Sequence, residues 1–312
     1  QAAHRRISGQ VNRTPVMVSS SINELSGMEL YFKCENFQKT GSFKFRGASN
    51  AILQLDRKEM NHGVGTHSSG NHAAALSLAA KMLNTDAYIV MPKNANPVKK
   101  RAVEHYQAHI TYCEPTLDSR EETFKEIEKL TGAKFIHPSG DFHVICGQGT
   151  AALELLEDVP GLDAVITPVG GGGLTSGTAV AARGLKKDIR IYAAEPQMAD
   201  DAYRSFKQGF LIPVDRPNTI ADGLLTSLSP LTFRIISEYL DDIFTTTEET
   251  IIKAMRLIWE RMKIIAEPSA AVTLAAILDN RFVFKGKKVG VIISGGNVDL
   301  NNLPFEKSET EN

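Results

Sequence analysis

The chain has 312 residues and a net charge of −1, with 42% hydrophobic and 23% charged residues, an ordinary composition for a soluble globular protein. This length suits one large α/β domain or two modest ones. The near-zero charge excludes the basic surface expected of a protein that binds nucleic acid or an anionic membrane. No apolar run reaches the roughly 18 residues of a membrane-spanning helix, and residues 1–10 do not resemble a signal peptide.

Three cysteines, Cys34, Cys113 and Cys146, lie far apart in the sequence, and no CxxC pair occurs. This pattern predicts reduced thiols rather than a disulfide framework. Because persistent disulfides are typical of oxidising compartments, we expect a cytoplasmic protein.

Strands and helices alternate along most of the chain, as judged from the period of the apolar residues. The predicted strands are 30–35, 63–67, 87–91, 109–112, 134–137, 163–169, 190–194 and 288–293. The predicted helices are 48–55, 70–83, 97–106, 119–130, 150–156, 174–185, 248–263 and 267–278. The helix at 119–130 is expected to open with a capping box formed by Ser119 and Glu122. This alternation predicts parallel sheets joined by right-handed crossovers.

One lysine lies between two aromatic rings in the segment 40–47, Thr-Gly-Ser-Phe-Lys-Phe-Arg-Gly. Apolar neighbours desolvate an ammonium group and lower its pKa, which makes the neutral amine nucleophilic. A lysine of this kind is the usual anchor for an aldehyde cofactor. An isolated Phe-Lys-Phe is more often part of an amphipathic helix, so the interpretation of Lys44 depends on other stretches.

Four consecutive glycines, Gly170, Gly171, Gly172 and Gly173, lie between a predicted strand and a predicted helix. Their unshielded N–H groups and the positive end of the following helix are suited to binding a phosphate. The spacing fits neither a dinucleotide fingerprint nor a P-loop. A tight turn is the alternative, but four glycines in a row are conformationally costly.

Two further polar stretches follow predicted strands. Residues 68–72, Ser-Ser-Gly-Asn-His, are suited to binding a carboxylate or to forming an ordinary helix N-cap. Residues 294–297, Ser-Gly-Gly-Asn, end the last strand. Ligands of open α/β sheets bind at the carboxyl ends of strands, so we expect these stretches and the glycines to face one cleft.

Six motifs together resemble one family. They are Ser-Phe-Lys-Phe-Arg-Gly, His-Ser-Ser-Gly-Asn-His, Pro-Val-Gly-Gly-Gly-Gly, Ala-Ala-Glu-Pro, Ile-Ala-Asp-Gly and Ser-Gly-Gly-Asn. Their order resembles the serine racemase and serine/threonine dehydratase family of fold-type II pyridoxal-phosphate enzymes. The resemblance covers residues 14–300 and implies two open parallel-sheet α/β domains with the cofactor between them. It implies a large domain from 1–63 and 142–312, and a small mobile domain from 64–141.

The resemblance also implies roles for particular residues. Lys44 is similar to the Schiff-base lysine, Phe43 to the residue beside the cofactor ring, and Ser294 to the partner of the pyridine nitrogen. The four glycines are similar to the phosphate loop. The residues similar to the loop that binds the substrate carboxylate are Ser68, Ser69, Asn71 and His72, and Asn71 also corresponds to a contact with the cofactor's phenolic oxygen.

The implied chemistry fits these residue types. A serine cannot stabilise a full pyridinium as an aspartate would, so the cofactor is a weaker electron sink, which suits β-elimination. Lys44 takes the α-proton on one face, and Ser69 resembles the acid of the racemases on the other. We therefore expect an L-serine/L-threonine dehydratase with serine racemase activity, acting on a small amino-acid substrate as a homodimer.

Two further ligands follow from the resemblance. Glu195, the carbonyl of Ala199 and Asp201 match a divalent-cation site, whose oxygen ligands suit Mg²⁺ or Ca²⁺. Without the resemblance, this stretch is a solvated acidic loop. Parts of an ATP site are also matched, at Lys39, Thr40, Tyr112, Lys263 and Asn297. The His-Gly-Gln of the family is His-Ala-Ala here at 72–74, a departure that removes a polar contact from the nucleotide site.

Three alternatives remain open at this point. A 3-hydroxyaspartate dehydratase or aspartate racemase would share the motifs, differ in the loop at 139–143, and need a cation for the distal carboxylate that the sequence does not identify. A sulfhydrylase-type synthase would need a threonine where His72 stands. A non-catalytic amino-acid sensor on the same fold belongs to another functional class.

Overall fold

The computed structural model describes residues 1–68, 70–95 and 97–305, and the strands within them form two sheets. The strands are β1 (Val16–Met17), β2 (Glu29–Cys34), β3 (Val64–His67), β4 (Ala87–Pro92), β5 (His109–Cys113), β6 (Lys134–Phe135), β7 (Ala164–Pro168), β8 (Arg190–Pro196), β9 (Asp242–Thr246) and β10 (Lys288–Ile293). The helices are α1 (Ala2–Ile7), α2 (Ser20–Ser26), α3 (Lys44–Ile52), α4 (Arg57–His62), α5 (Asn71–Met82), α6 (Pro97–His105), α7 (Leu117–Thr131), α8 (Phe142–Asp158), α9 (Gly173–Leu185), α10 (Asp201–Gln208), α11 (Pro230–Tyr239), α12 (Glu248–Leu257), α13 (Pro268–Asp279) and α14 (Arg281–Phe284). None of the helices in this described part of the chain is both long and apolar enough to cross a membrane.

The larger sheet is built from both ends of the chain, in the order β1-β2-β10-β7-β8-β9. All neighbouring strands are parallel except β1, which pairs antiparallel with β2. Helices α12 and α13 pack on one face of the sheet and α8 and α9 on the other. A parallel sheet covered on both faces requires strands that are mostly apolar and buried, as β7 is throughout and β10 is after its exposed first residue, Lys288.

The smaller sheet has the order β5-β4-β3-β6, and all of its pairs are parallel. The alanine-rich helix α5 packs against it, and its Ala73 and Leu76 share a hydrophobic cluster with Phe45 and Ile52 of α3. The helix that begins at Lys44 therefore packs with the smaller sheet as well. The two α/β units and their parallel sheets confirm the predicted fold class, whereas the predicted domain boundaries remain a prediction.

Two predicted helix ends are wrong in detail. Helix α7 begins after Thr116, whose side chain accepts a hydrogen bond from Ser119 N, while Ser119 Oγ accepts one from Glu114 N. Threonine is also a favourable N-cap residue, and the helix starts at this earlier position rather than at the one that the capping box implied. The predicted helix 248–263 ends at Leu257 and continues as a single π-helical turn to Met262.

The three cysteines are all free thiols. Cys34 and Cys113 are buried and Cys146 is half-buried. Burial, more than any nearby charge, raises the pKa of Cys34 to about 12. This thiol is therefore protonated and unreactive at neutral pH, as expected of a core residue.

Candidate active site

Three stretches of the predicted cleft lie at one edge of the larger sheet. Strand β10 lies between β2 and β7, and the three strands run in the same direction. The segment that leads to Lys44 follows β2, Ser294 follows β10, and the glycine loop follows β7. Adjacent parallel strands end at the same edge, so the fold brings together motifs more than 100 positions apart in the sequence.

Lys44 is the first residue of α3, and its approach is held by a tightly folded loop. Thr40 and Gly41 both have positive φ angles, of 61° and 73°. A Cβ on Gly41 would overlap the side chain of Asn297, so this position requires glycine for space as well as for conformation. Lys44 Nζ donates a hydrogen bond of 2.8 Å to the carbonyl of Pro138 and lies 5.2 Å from the centroid of the Phe43 ring.

The Lys44 ammonium is easily deprotonated. Burial lowers its pKa from the usual 10.5 to about 8, and the negative charge of Glu267 raises it in part. A lysine with a pKa near neutral is available as a free amine at physiological pH. This is the property expected of a lysine that holds an aldehyde cofactor.

A short backbone ladder joins the Lys44 loop to the end of β10. Phe43 N donates to Ser294 O at 3.0 Å, Gly296 N donates to Gly41 O at 2.9 Å, and Ser42 forms an isolated bridge with Gly295. Ser294 is 3% exposed. The structure therefore holds the serine that resembles the pyridine partner beside the lysine that resembles the cofactor anchor.

The glycine loop forms a cradle that side chains would fill. A Cβ on Gly171 would overlap Ser139 Oγ, and one on Gly170 would lie 2.9 Å from Leu224 Cα. Gly172 has a φ of 80° and caps α9. The first N–H groups of a helix have no acceptor within it, so those of α9 are available to a phosphate. The loop fits the phosphate of pyridoxal phosphate.

Asn71 is held between two partners in a fixed orientation. Its Nδ2 donates to the two carboxylate oxygens of Glu267 at 2.9 and 3.1 Å. Its Oδ1 accepts from Asn297 Nδ2 at 3.0 Å, and that nitrogen also donates to Thr40 O at 2.7 Å. These bonds connect the start of α5 with the Lys44 loop, the end of β10 and the start of α13.

The other residues of the predicted carboxylate-binding loop differ from one another in their contacts and burial. Ser68 Oγ accepts from Gly70 N at 3.4 Å, and Ser69 lies outside the described residues. The His72 ring is 2% exposed, donates from Nε2 to Ile136 O at 3.1 Å, and its Nδ1 has no partner among the described residues. Burial, aided by the charge of Lys44, lowers the pKa of His72 to about 3. This side chain is neutral and turned inward, so a substrate carboxylate would meet backbone N–H groups here.

The segment 136–140 carries site residues that the sequence alone did not identify. Pro138 O accepts from Lys44, and Ser139 lies against Gly171 and Gly173. The sequence marked only the overlapping loop at 139–143, as the place where the hydroxyaspartate alternative would differ, and nothing local connected the segment to the lysine. Glu267 was also missed, because its sequence signal is only that of a residue before a helix-opening proline.

A cationic side chain lies on the smaller-sheet side of the site. Arg120 Nε is buried and has no hydrogen-bond partner in the described part of the chain. The pKa of His67, at the end of β3, is lowered mainly by burial and in part by the positive charge of Arg120. The Arg120 guanidinium therefore lies near His67. The His67 ring stacks on Phe135 with centroids 5.0 Å apart. Arg120 is a candidate for the cation that the sequence did not identify.

The predicted cation ligands form a buried acidic pair. Glu195 at the end of β8 is fully buried and accepts from Ala202 N at 3.2 Å and Tyr203 N at 2.9 Å. Asp201 is also fully buried, and neither of its oxygens has a hydrogen-bond partner among the described residues. Burial raises the pKa of Asp201 to about 6, and burial together with the charge of Asp201 raises that of Glu195. Two adjacent buried carboxylates favour binding of a divalent cation.

Nearby Ala199 is 2% exposed and belongs to a single 3₁₀ turn between β8 and α10. Within the described residues, no group of three or more His, Cys, Asp or Glu side chains could hold a metal ion. The proposed site therefore depends on the Ala199 carbonyl as its third protein ligand.

Only part of the predicted nucleotide site comes together. Thr40 and Asn297 line a cavity of about 460 Å³ beside Asn71, and Ala74 lines it too. Lys39 Nζ instead donates to Gln10 O at 2.6 Å, and Tyr112 packs under Lys100. Lys263 ends the π-helical turn in the left-handed conformation. Ala74, at the position where the resemblance implied a glutamine, contributes no polar side chain to this cavity.

A buried ionic cluster anchors α3 two residues after Lys44. Arg46 is fully buried and donates to Glu35 at 2.7 and 2.8 Å and to Glu154 at 2.7 and 2.8 Å. Lys33 Nζ also donates to Glu154, at 2.7 Å. Because these buried charges are all paired and hydrogen-bonded, they fix the start of α3 against β2 and α8.

Comparison with known proteins gives the following relatives. The family model described as pyridoxal-phosphate dependent enzyme matches residues 7–295. A serine racemase of Dictyostelium discoideum is 55% identical over 305 residues, covering 96% of this chain and 94% of the relative. A beta-hydroxyaspartate dehydratase of Paracoccus denitrificans is 51% identical over 304 residues, covering 97% and 96%. The solved structure of maize serine racemase superposes with a TM-score of 0.95 at 46% identity, covering 96% and 93%.

Proposed function

This chain belongs to the pyridoxal-phosphate-dependent enzymes, within the serine racemase and serine/threonine dehydratase family, and from that premise we propose that it acts on L-serine and L-threonine. The proposed reactions are β-elimination to a 2-oxo acid and ammonia, and racemisation of L-serine to D-serine. Family membership favours an enzyme over the non-catalytic sensor. The observation that carries the proposal is Lys44, a buried amine with a pKa of about 8, held 2.8 Å from Pro138 O.

Pyridoxal phosphate, when bound, withdraws electrons from the substrate's α-carbon and so weakens the covalent bond between that carbon and its hydrogen. Lys44 would hold the cofactor's aldehyde at rest, and its free amine would take the α-proton from one face. The glycine loop and the start of α9 would hold the phosphate. Phe43 would pack beside the ring, and the Ser294 hydroxyl would donate to the pyridine nitrogen.

The substrate's carboxylate is proposed to bind at the start of α5. The positive end of that helix favours an anion, and Asn71 is oriented there by Glu267 and Asn297. Ser68 and the backbone of His72 would complete the loop. We assign proton exchange on the opposite face to Ser69, which allows racemisation as well as elimination.

We propose a divalent cation, Mg²⁺ or Ca²⁺, bound by Glu195, the Ala199 carbonyl and Asp201. The two buried carboxylates and the unpartnered oxygens of Asp201 support this assignment. By its family, we further propose that the enzyme is a homodimer in the cytoplasm. Light scattering of the purified holoenzyme tests the dimer.

The principal test is one time course of the holoenzyme with L-serine and Mg²⁺, in which pyruvate and D-serine are quantified together. We expect both products. The Lys44→Ala variant should form neither and should lose the cofactor's absorbance above 400 nm. If the holoenzyme carries its cofactor but makes neither product from L-serine or L-threonine, the proposed substrate is wrong.

A second candidate substrate is 3-hydroxyaspartate, and Arg120 is the observation that favours it. Its buried Nε has no partner in the described part of the chain, and a distal carboxylate would supply one. The relative from Paracoccus, whose name describes a beta-hydroxyaspartate dehydratase, adds support at 51% identity. A buried donor atom without a partner is costly, and for the Nε of the partly exposed Arg120 this favours a ligand over a purely structural role.

Comparison of kcat/KM for L-serine and 3-hydroxyaspartate separates the two candidates. If hydroxyaspartate is a substrate, Arg120→Gln should reduce its kcat/KM by roughly 100-fold, as for loss of a buried charge pair, and that of serine by much less. Lys125→Gln is the matched control, since Lys125 is an exposed cation on the same helix. Equal losses for both substrates would remove Arg120 from substrate recognition.

A further inference from the structure

A hydrogen-bond donor of fixed orientation lies next to the lysine. We infer that His137 donates from Nε2 to the β-hydroxyl of the bound substrate and thereby favours elimination over return of the α-proton. This inference rests on the proposed function, since it needs a β-hydroxy amino acid in the site. It concerns the leaving group, for which none of the residues discussed above supplies a contact.

The tautomer of His137 follows from its backbone contacts. Ser139 N and Gly140 N both donate to His137 Nδ1, at 3.1 and 2.7 Å. A ring nitrogen that accepts hydrogen bonds carries no proton, so the proton of the neutral ring is on Nε2. None of the described residues accepts from Nε2, and the side chain is partly exposed. The ring therefore presents one free donor.

The position of His137 is set by its neighbours in the segment 136–140. On one side Ile136 O accepts from His72, and on the other Pro138 O accepts from Lys44 Nζ. Ser139 continues the segment to the glycine loop, where it contacts Gly171. His137 thus lies between the lysine that takes the α-proton and the start of α5. The β-carbon is bonded to the α-carbon, so its hydroxyl is within reach of a side chain at this position.

The ring acts as a neutral donor rather than as an acid. Burial, aided by the charges of His67 and Lys44, lowers the pKa of His137 to about 4. In the elimination, Lys44 takes the α-proton, the Cβ–O bond breaks, and the departing hydroxide receives its proton from the Lys44 ammonium. His137 keeps its own proton and stabilises the negative charge that develops on oxygen. Racemisation breaks no Cβ–O bond, so it gains nothing from this contact.

The test compares two fates of the same substrate. His137→Asn keeps an oxygen near the place of Nδ1, to accept from the turn, and removes the donor at Nε2. The rate of pyruvate formation from L-serine should fall roughly tenfold or more, because the transition state loses one hydrogen bond to the departing oxygen. Exchange of the α-hydrogen with solvent deuterium, and D-serine formation, should change by less than about threefold. His109→Asn is the control, because His109 is 60% exposed on the smaller sheet.

A purely structural role would lower elimination and exchange together, and that result, or an unchanged ratio, would overturn the inference. His137→Gln supplies a donor near Nε2 and should keep the ratio near that of the wild type even if it folds less stably. Should the asparagine variant fail to fold, a reduced ratio in the glutamine variant refutes the contact. If the wild-type holoenzyme yields neither pyruvate nor deuterated serine, the proposed substrate fails, which is a distinct outcome.

Discussion

The side-chain nitrogen of Asn71 lies 2.9 and 3.1 Å from the two carboxylate oxygens of Glu267. Asn71 begins α5 against the smaller sheet, and Glu267 precedes α13 on the larger one. The same carboxylate raises the pKa of Lys44 against the effect of burial. One contact therefore joins the two α/β units and adjusts the protonation of the lysine between them.

Replacement of Glu267 by glutamine should lower the pKa of Lys44 in the apoenzyme. The free amine is the form that reacts with an aldehyde, so the rate of cofactor attachment should rise with pH to a plateau above the lysine pKa. We expect a midpoint near pH 8 for the wild type and a midpoint lower by roughly half a unit or more in Glu267→Gln. Stopped-flow absorbance from pH 6 to 10 measures both midpoints.

Glu157→Gln is a suitable control for this charge effect, because Glu157 is 47% exposed and pairs with Arg13 at the surface. Its midpoint should match that of the wild type. A midpoint that moves upward in Glu267→Gln would show that the carboxylate does not act on Lys44 through its charge.

Substitution of Gly171 by alanine should weaken cofactor binding. The added Cβ would overlap Ser139 Oγ in the phosphate cradle, so we expect the affinity for pyridoxal phosphate to fall roughly tenfold or more. Gly184→Ala, on the helix α9 that follows this loop and with open space around its Cβ, should instead stabilise the protein by about 0.5 to 1 kcal/mol. Fluorescence titration and thermal unfolding distinguish these effects, and equal cofactor affinity in both variants would contradict the phosphate assignment.

Removal of one carboxylate should abolish stabilisation by a divalent cation. At about 100 times the dissociation constant, Mg²⁺ or Ca²⁺ should add about 2.7 kcal/mol to the free energy of unfolding of the wild type. Asp201→Asn should lose this increment. Asp200→Asn should keep it, because Asp200 pairs with Arg204 instead. Calorimetry with and without EDTA measures the increment.

The same cation effect should depend on pH. A cation must displace any proton from the carboxylates, and the pKa of Asp201 is about 6. The stabilisation should therefore weaken as the pH falls through 6. Persistence of the increment in Asp201→Asn would indicate that the cation binds elsewhere.

Burial of a neutral His72 should make the fold sensitive to mild acid. Its pKa is about 3 when folded and 6.5 ordinarily, so the unfolded chain binds a proton more readily. Stability is complete above pH 6.5 and falls as the pH drops from 6.5 toward 3. This group should contribute about 1.4 kcal/mol per pH unit to that loss.

His72→Gln can still donate to Ile136 O. This variant should lose the contribution of His72 to the dependence of the free energy of unfolding on pH, as measured by urea unfolding between pH 7 and 5. His109→Gln serves as the control, because that ring is 60% exposed. An unchanged slope in His72→Gln would mean that the ring is not held neutral in the folded state.

Local sequence patterns were sufficient to predict most of the strands and helices and part of the candidate site. The period of the apolar residues identified most strands and helices, because burial on one or both faces leaves a repeat within a few residues. The glycine loop was recognisable from its own residues, since adjacent glycines provide the space that a ligand needs. The role expected of Lys44 depended on the other motifs as well as on its two aromatic neighbours. Strand β9 and helices α10 and α11 were missed, although α10 is strongly amphipathic, so the miss does not come from a weak apolar repeat there.

What the sequence by itself determined is thus the alternating α/β pattern and the places of Lys44 and the four glycines within it. Only the tertiary structure decided which distant groups meet them: Glu267 lies 196 positions from Asn71, and Pro138 lies 94 positions from Lys44. Tertiary structure also turned the His72 ring inward and left Arg120 Nε without a partner in the described residues. The physical reason is that charge, burial and hydrogen bonding depend on distance in space, which strand order decides and sequence separation does not.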